Sequence, residues 1–298
     1  MDTIINLETT GIKNNLLLEP YNYICSNPGK TFRTKLLEAF QFWLNIDTGK
    51  LKIIAEVMEM LHNASLLIDD VQDNSELRRG NPVAHRIYGV PITINCANYV
   101  YFLALQKVCE LNDPELVQIY STELIKLHQG QGMELHCRDR NICPTEQQYL
   151  DMVNNKTGGL LRLGIKMMQQ VSNSKTDFVP LVNLLGEYYQ IRDDYINLKA
   201  EDYHSAKGYC EDLSEGKYSF PIIHSLRTSN DMHQLENILK QRTEDINLKK
   251  YALLLMEKTN SFEYTKTYLN RLLIQIQNLV SDFDQNDLLL DIVNKLKI

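Results

Sequence analysis

The chain is poor in the residues that interrupt regular structure, with 13 glycines and 8 prolines in 298 residues. Proteins usually carry a combined share near 12%. Scarce breakers exclude a loop-rich or short-stranded fold and predict long uninterrupted elements. A basic surplus is also missing. Lys and Arg number 31 against 38 Asp and Glu, a formal charge of -7, which argues against a nucleic-acid binder with its basic stripe. The six cysteines (Cys25, Cys96, Cys109, Cys137, Cys143, Cys210) show no C-x-x-C pair and no regular spacing. A disulfide scaffold is therefore excluded, and reduced thiols in a cytoplasmic protein are expected. Met1 is followed by no basic n-region and no apolar h-region, which speaks against a secretory signal. The longest uncharged run, 87–106, has the length of a membrane span, but Pro91, Asn95 and Asn98 would be costly in hydrocarbon. A buried core helix after Pro91 is expected in its place, with no transmembrane segment.

What is present is helical periodicity. Ile54, Val57 and Met58, Leu61, Ala64 and Ser65, and Ile68 recur every three to four residues. The same period runs through 116–128, 150–170, 178–198, 218–227, 234–241, 249–258 and 262–280. Short alternating runs bounded by Asn-Gly or Asp-Gly turns, the mark of strands, are absent. Polar connections fall at 45–49, 111–114 and 141–144, and no repeat or domain boundary interrupts the pattern. The reading is a single all-α domain over 1–298, with an exposed helix at 12–24 and a loop-rich segment at 199–217 near a site.

Two carboxylate clusters sit at the ends of apolar helices. In Leu66-Leu-Ile-Asp69-Asp70-Val-Gln-Asp73, Asp69 and Asp73 are i and i+4 and share a face. His62, seven residues before Asp69, lies within about 40° of that stripe. Like charges at this spacing destabilise an isolated helix. Either a divalent cation compensates them, or the acids form a solvated helix end with Arg78 and Arg79 as partners. Oxygen ligands without thiolates suit Mg²⁺. The second cluster, Gln190-Ile-Arg-Asp193-Asp194-Tyr-Ile-Asn197, lies on another helix, and two such clusters can face each other across a bundle cavity. Opposed acids can hold about two or three Mg²⁺ ions around a diphosphate, acting as Lewis acids. Cations for an anionic substrate are available at Lys30, Arg33, Arg78, Arg79, Lys156, Lys207 and Lys217, several beside glycines. Each, taken singly, also reads as a surface charge.

These residues resemble the trans-prenyltransferases, or polyprenyl synthetases, of isoprenoid biosynthesis. Asp69-Asp-Val-Gln-Asp73 with Arg78-Arg79-Gly80 is similar to their first aspartate-rich motif, and Asp193-Asp-Tyr-Ile-Asn197 to the second. The similarity is closer still to the animal and fungal geranylgeranyl diphosphate synthases. It includes Pro28-Gly-Lys30 with Arg33, Leu61-His-Asn-Ala-Ser-Leu-Leu-Ile-Asp-Asp70 and Leu127-His-Gln-Gly-Gln-Gly132. It continues through Lys156-Thr-Gly-Gly159 and Glu211-Asp-Leu-Ser-Glu-Gly-Lys217-Tyr-Ser-Phe-Pro221, in the right order.

The resemblance implies a bundle of long helices around a deep central cavity. It implies condensation of an allylic diphosphate, here farnesyl diphosphate, with isopentenyl diphosphate to give geranylgeranyl diphosphate. Farnesyl diphosphate as main product stays open. By resemblance, Asp69, Asp70, Asp73 and Asp193 hold the Mg²⁺ ions. Arg78, Lys156, Lys207 and Lys217 contact the allylic diphosphate, and Lys30, Arg33, His62 and Arg79 hold isopentenyl diphosphate. Thr157 and Gln190 lie near the reacting carbons, where amide and carbonyl dipoles stabilise positive charge; Lys156 and Gln190 thus count with the acids among the catalytic residues. Asn197 stands where many relatives have Asp and offers an oxygen without charge, so it is not read as a metal ligand. The family also implies homo-oligomers built from dimers.

Ala64 and Ser65 are small and lie about 6–7 Å, one turn, below Asp69. In relatives that stop at fifteen carbons, bulky aromatics at those positions close the tunnel. Here Tyr101, Phe102 and His128 match the family's floor, although by composition alone they read as core aromatics and a satisfied histidine. Two rivals are weighed. A class I terpene cyclase has no use for a second diphosphate site, which Lys30, Arg33 and His62 would form. A non-catalytic partner subunit would have lost acids that this chain keeps.

Overall fold

The computed structural model describes residues 14–27, 29, 32–199, 209–228 and 233–298. Helices begin and end where the polar connections place them. In order they are α1 (Asn14–Leu17), α2 (Glu19–Ser26), α3 (Phe32–Leu44), α4 (Thr48–Asp73), α5 (Ala84–Tyr88), α6 (Val90–Cys109), α7 (Pro114–Arg140) and α8 (Glu146–Val171). There follow α9 (Val179–Lys199), α10 (Glu211–Glu215), α11 (Phe220–Thr228), α12 (His233–Gln241), α13 (Ile246–Lys258), α14 (Ser261–Asp282) and α15 (Asp287–Lys295). Asp47 accepts the Lys50 amide at 3.1 Å and starts α4. Thr145 and Gln148 form a reciprocal capping box on α8. Asn74 and Asn141, in left-handed conformation, end α4 and α7.

Four of these helices close a ring, since α4 contacts α6 and α8, and α7 contacts α6 and α8. The ring forms because the predicted stripe on α4 is apolar: Ile54, Val57, Leu61, Ala64 and Leu67 are all buried. Helix α9 lies on α8, α14 lies on α9, and α15 lies on α3. Glycines set the closest approaches. A Cβ on Gly130 would come within 2.4 Å of the Lys156 amide nitrogen, and one on Gly186 within 2.8 Å of the Gly158 Cα. Gly130→Ala should therefore cost about 1–3 kcal/mol of stability through overpacking. Gly132→Ala on the same helix meets nothing within 4 Å and should gain up to about 1 kcal/mol from helix propensity. Denaturant unfolding of the two variants checks the opposite signs.

Three expectations need correction. Strands are not absent: β1 (Leu77–Arg78) and β2 (Asn81–Pro82) pair in a small hairpin. Its turn residues, Arg79 and Gly80, have φ of 55° and 80°, positive at both central positions as a tight hairpin requires, but Arg-Gly is not the usual signature of such a turn. Helix α6 is only half-buried, because Ile92, Ile94 and Phe102 are exposed. The N-terminal helix is not wholly exposed either. Helix α2 buries Pro20 and Ile24 and contacts α4 and α6.

Candidate active site

The C-terminal end of α4 brings the first acid cluster to the rim of the ring. Asp69 lies 3.5 Å from both Arg78 Nη2 and Lys156 Nζ, and Gln131 Nε2 donates to it at 3.3 Å. Asp70, one residue and therefore 100° further round the helix, is buried and accepts Arg78 Nε at 2.8 Å. Asp73 is gripped by Arg138, which also donates to the Gln72 carbonyl at 2.9 Å. Burial and the charge of Asp69 push the Asp73 carboxyl up to about 7, against the pull of Lys156 and Arg138. Crowded carboxylates held in this way are what a divalent cation relieves, and the oxygen-only donors suit Mg²⁺. Among the described residues, no group of three His, Cys, Asp or Glu side chains is arranged to hold a metal ion alone. Substrate phosphates and water would complete the shell, as is usual for Mg²⁺.

Helices α8 and α9 supply the opposite rim. Lys156 Nζ donates to Glu134 at 2.5 Å. Burial works against its charge, but Glu134 and Asp69 outweigh that, and its pKa rises. Asp194 is buried and accepts four donors: Tyr149 Oη at 2.5 Å, Phe220 N at 2.8 Å, Gln190 Nε2 at 2.9 Å and Lys217 Nζ at 3.2 Å. It is a hub that fixes Gln190 and Lys217, leaving Asp193, half-buried beside it, as the ligand candidate of the pair. Thr157 Oγ1 donates to Gln190 Oε1 at 2.6 Å, so a chain Thr157–Gln190–Asp194 crosses from α8 to α9. Asn197 is buried and caps α10 by accepting the Asp212 amide at 3.1 Å. The two rims sense each other electrostatically. Glu215, at the end of α10, is pushed well up by burial and by Asp73, and Lys156 and Lys217 oppose each other's charge.

A third group gathers His62, Arg33 and Arg79, with Glu59 the carboxylate that acts most strongly on the two arginines. His62 is held well below its usual pKa, first by burial and then by Arg33, Arg79 and Arg78. Arg33 is lowered by burial and by Arg79, and Arg79 by burial and by Arg78. The mutual repulsion of these cations is what a bound anion would relieve. Arg79 is aimed by α2 and the segment that follows it. Its Nη1 donates to the Asn27 carbonyl at 2.5 Å, and Asn27 Nδ2 donates back to the Arg79 carbonyl at 3.1 Å. A Cβ on Gly29 would lie 2.5 Å from the Arg79 guanidinium, so a side chain there would push that guanidinium aside.

The sequence pattern of the polyprenyl synthetases matches residues 14–256. The chain belongs to the polyprenyl synthetase family. It is 56% identical over 256 residues to a geranylgeranyl pyrophosphate synthase of Mucor circinelloides f. lusitanicus, covering 86% of this chain and 84% of that protein. Against the geranylgeranyl pyrophosphate synthase of Dictyostelium discoideum it is 49% identical over 281 residues, covering 94% and 93%. Against that of Fusarium fujikuroi it is 55% identical over 278 residues, covering 93% of this chain, and the chain spans 66% of that longer protein.

Not every expected residue of this polyprenyl synthetase stands at the cleft. Lys30 and Lys207 lie outside the described residues, as do residues 200–208 of the loop-rich segment at 199–217. Asp70 faces Arg78 and not the rim. Ala64 is fully buried against α6, whereas Ser65 is half-buried with its hydroxyl on the His62 carbonyl at 2.8 Å. Tyr101 turns inward, its phenol pushed up to about 12 by burial and then by Asp69, which places it in the space below the acids. Phe102 is 70% exposed and His128 is exposed too, touching the floor only through a ring contact with Tyr101 at 5.9 Å. Phe102 lies about 100° further round α6 than the half-buried Tyr101, and this turns the Phe102 ring to solvent. Glu134, Arg138, Gln131 and Tyr149 were not foreseen. Their only signal was a set of polar residues on the faces of α7 and α8 that also carry Gly130 and Lys156.

Proposed function

We propose that the chain condenses farnesyl diphosphate with isopentenyl diphosphate, giving geranylgeranyl diphosphate and diphosphate, and that residues 1–298 act as one synthase domain. The observation that supports this most is the pairing of an acid-lined cleft with a separate cation group. Each suits one diphosphate, the first through metal ions and the second directly. A cyclase would need only the first. The names of the relatives support the same reading.

Asp69, Asp73 and Asp193 are the side chains that would hold Mg²⁺, which when bound supplies Lewis-acid neutralisation of the leaving group. Lys156 and Lys217, kept charged by their acidic neighbours, take up the charge that grows on the allylic diphosphate as its C1–O bond breaks and the electron pair leaves with oxygen. The Thr157 hydroxyl and the Gln190 amide turn their oxygens toward the allylic cation. Arg33, His62 and Arg79 hold isopentenyl diphosphate so that its terminal double bond reaches C1 and forms the new carbon–carbon bond. A proton is then lost to the departed diphosphate, which restores a double bond and balances charge. Water would quench the cation, so the apolar ring of α4, α6, α7 and α8 serves to exclude it.

Assembly from dimers belongs to this proposal, supported by the exposed apolar side chains Ile94, Phe102 and Ile125 on α6 and α7. Cytoplasmic location belongs to it too; no described helix is long and apolar enough to cross a membrane.

The two-site reading is tested by steady-state kinetics on Arg33→Ala. KM for isopentenyl diphosphate should rise about tenfold or more, with KM for farnesyl diphosphate nearly unchanged. Equal losses for both substrates would refute separate sites. Asn27→Ala, which releases the turn holding Arg79, should raise the same KM about five- to tenfold, the worth of one such hydrogen bond.

A further inference from the structure

A cavity of about 590 Å³ opens along the α7–α8 seam, and its lining includes none of Asp69, Asp73, Lys156 or Gln190. Its floor is buried Pro144, Tyr149, Met152 and Tyr218, and its rim carries the exposed Met133 and Ile142. The volume lies within the range of about 300–1,000 Å³ that takes small organic ligands. Among the described lining residues there is no Lys or Arg, and the one carboxylate, Glu134, is already committed to Lys156. A diphosphate would lose its hydration there with no cation in return. Methionine sulfur and tyrosine rings suit a polarisable, alkene-rich chain. The side-chain amides of Gln129 and Asn155 can bond a neutral hydroxyl.

Two of the walls reach the reaction. Glu134 lines the cavity and holds Lys156; Tyr149 lines it and donates to Asp194, which in turn fixes Gln190 and Lys217. We propose that this cavity is an effector site for an uncharged isoprenoid, a prenyl alcohol of about fifteen to twenty carbons, whose occupancy moves Tyr149 and Glu134 and slows turnover. The effect on turnover rests on the synthase reading; the binding itself does not.

The test is titration calorimetry with geranylgeraniol on the full chain, beside its effect on isopentenyl diphosphate consumption. The wild type should bind one equivalent and show inhibition that added farnesyl diphosphate does not relieve. Met133→Trp and Ile142→Trp fill the rim from exposed positions. Each should weaken binding by about tenfold or more and abolish the inhibition, with uninhibited turnover unchanged. Absence of saturable binding overturns the proposal, as does binding that neither substitution weakens. Inhibition relieved by farnesyl diphosphate would place the alcohol in the reaction cavity and equally overturn it. Weakened binding in the variants, in a chain that consumes no isopentenyl diphosphate, would leave the site standing and sink the synthase reading alone. Binding without any effect on an active enzyme would refute the coupling through Tyr149 and Glu134.

Discussion

Asp69→Ala should cut isopentenyl diphosphate consumption by about 100-fold or more, the usual loss when one stabiliser of developing charge is removed. The prediction singles out Asp69 because its side chain is 25% exposed at the rim, between Arg78 and Lys156, whereas that of Asp70 is 2% exposed and spent on Arg78. The fold does not depend on Asp69, whose ion pairs are long, so far-UV circular dichroism should be unchanged. Asp70→Ala is the contrast. It strands a buried guanidinium and should cost about 3–5 kcal/mol of stability, visible in denaturant unfolding before any question of rate. Near-normal turnover in Asp69→Ala would remove it from the metal-holding set.

Ser65→Phe should change the product, not the rate law. Ser65 lies one turn below Asp69, half-buried, and the inward-facing Tyr101 stands in the same space under the acids. On the proposed reading, in which the product grows down α4, a ring at position 65 would block an added five-carbon unit. Such overpacking costs about 1–3 kcal/mol, enough to redirect product several-fold or more. From dimethylallyl and isopentenyl diphosphates, the main product should shift from twenty carbons to fifteen, with Mg²⁺ dependence retained. Tyr101→Ala should lengthen products. Phe102→Ala should not do so by lowering this floor, because its ring points away from it. An unchanged distribution in both Ser65→Phe and Tyr101→Ala would mean the chain does not grow along α4.

Much of the architecture was legible in the sequence because helices announce themselves locally. The apolar stripe from Ile54 to Ile68 and the polar connections at 45–49, 111–114 and 141–144 need no tertiary information. The hairpin at Arg79-Gly80 was hidden because arginine seldom takes a positive φ, and here two bonds with Asn27, distant in sequence, hold it. The paired aspartates were legible as motifs but not as roles. Only packing shows that Asp70 and Asp194 are buried anchors, which is why the proposed metal-holding set is Asp69, Asp73 and Asp193. The resemblance placed Tyr101 and Phe102 together at a floor, whereas the structure leaves Phe102 70% exposed. Glu134, Arg138 and Tyr149 had no motif at all, since their importance comes from the α7–α8 and α8–α9 contacts that bring them to Lys156, Asp73 and Asp194.

The proposed reaction joins two diphosphates, one held at the acid-lined cleft and one at the group of Arg33, His62 and Arg79. It is tested most directly by incubating the purified chain with farnesyl diphosphate, isopentenyl diphosphate and Mg²⁺ and measuring the product by mass spectrometry. The expected result is geranylgeranyl diphosphate, one isopentenyl unit consumed for each diphosphate released, and no product in the presence of a chelator. Conversion of farnesyl diphosphate to a hydrocarbon with isopentenyl diphosphate left untouched would contradict it.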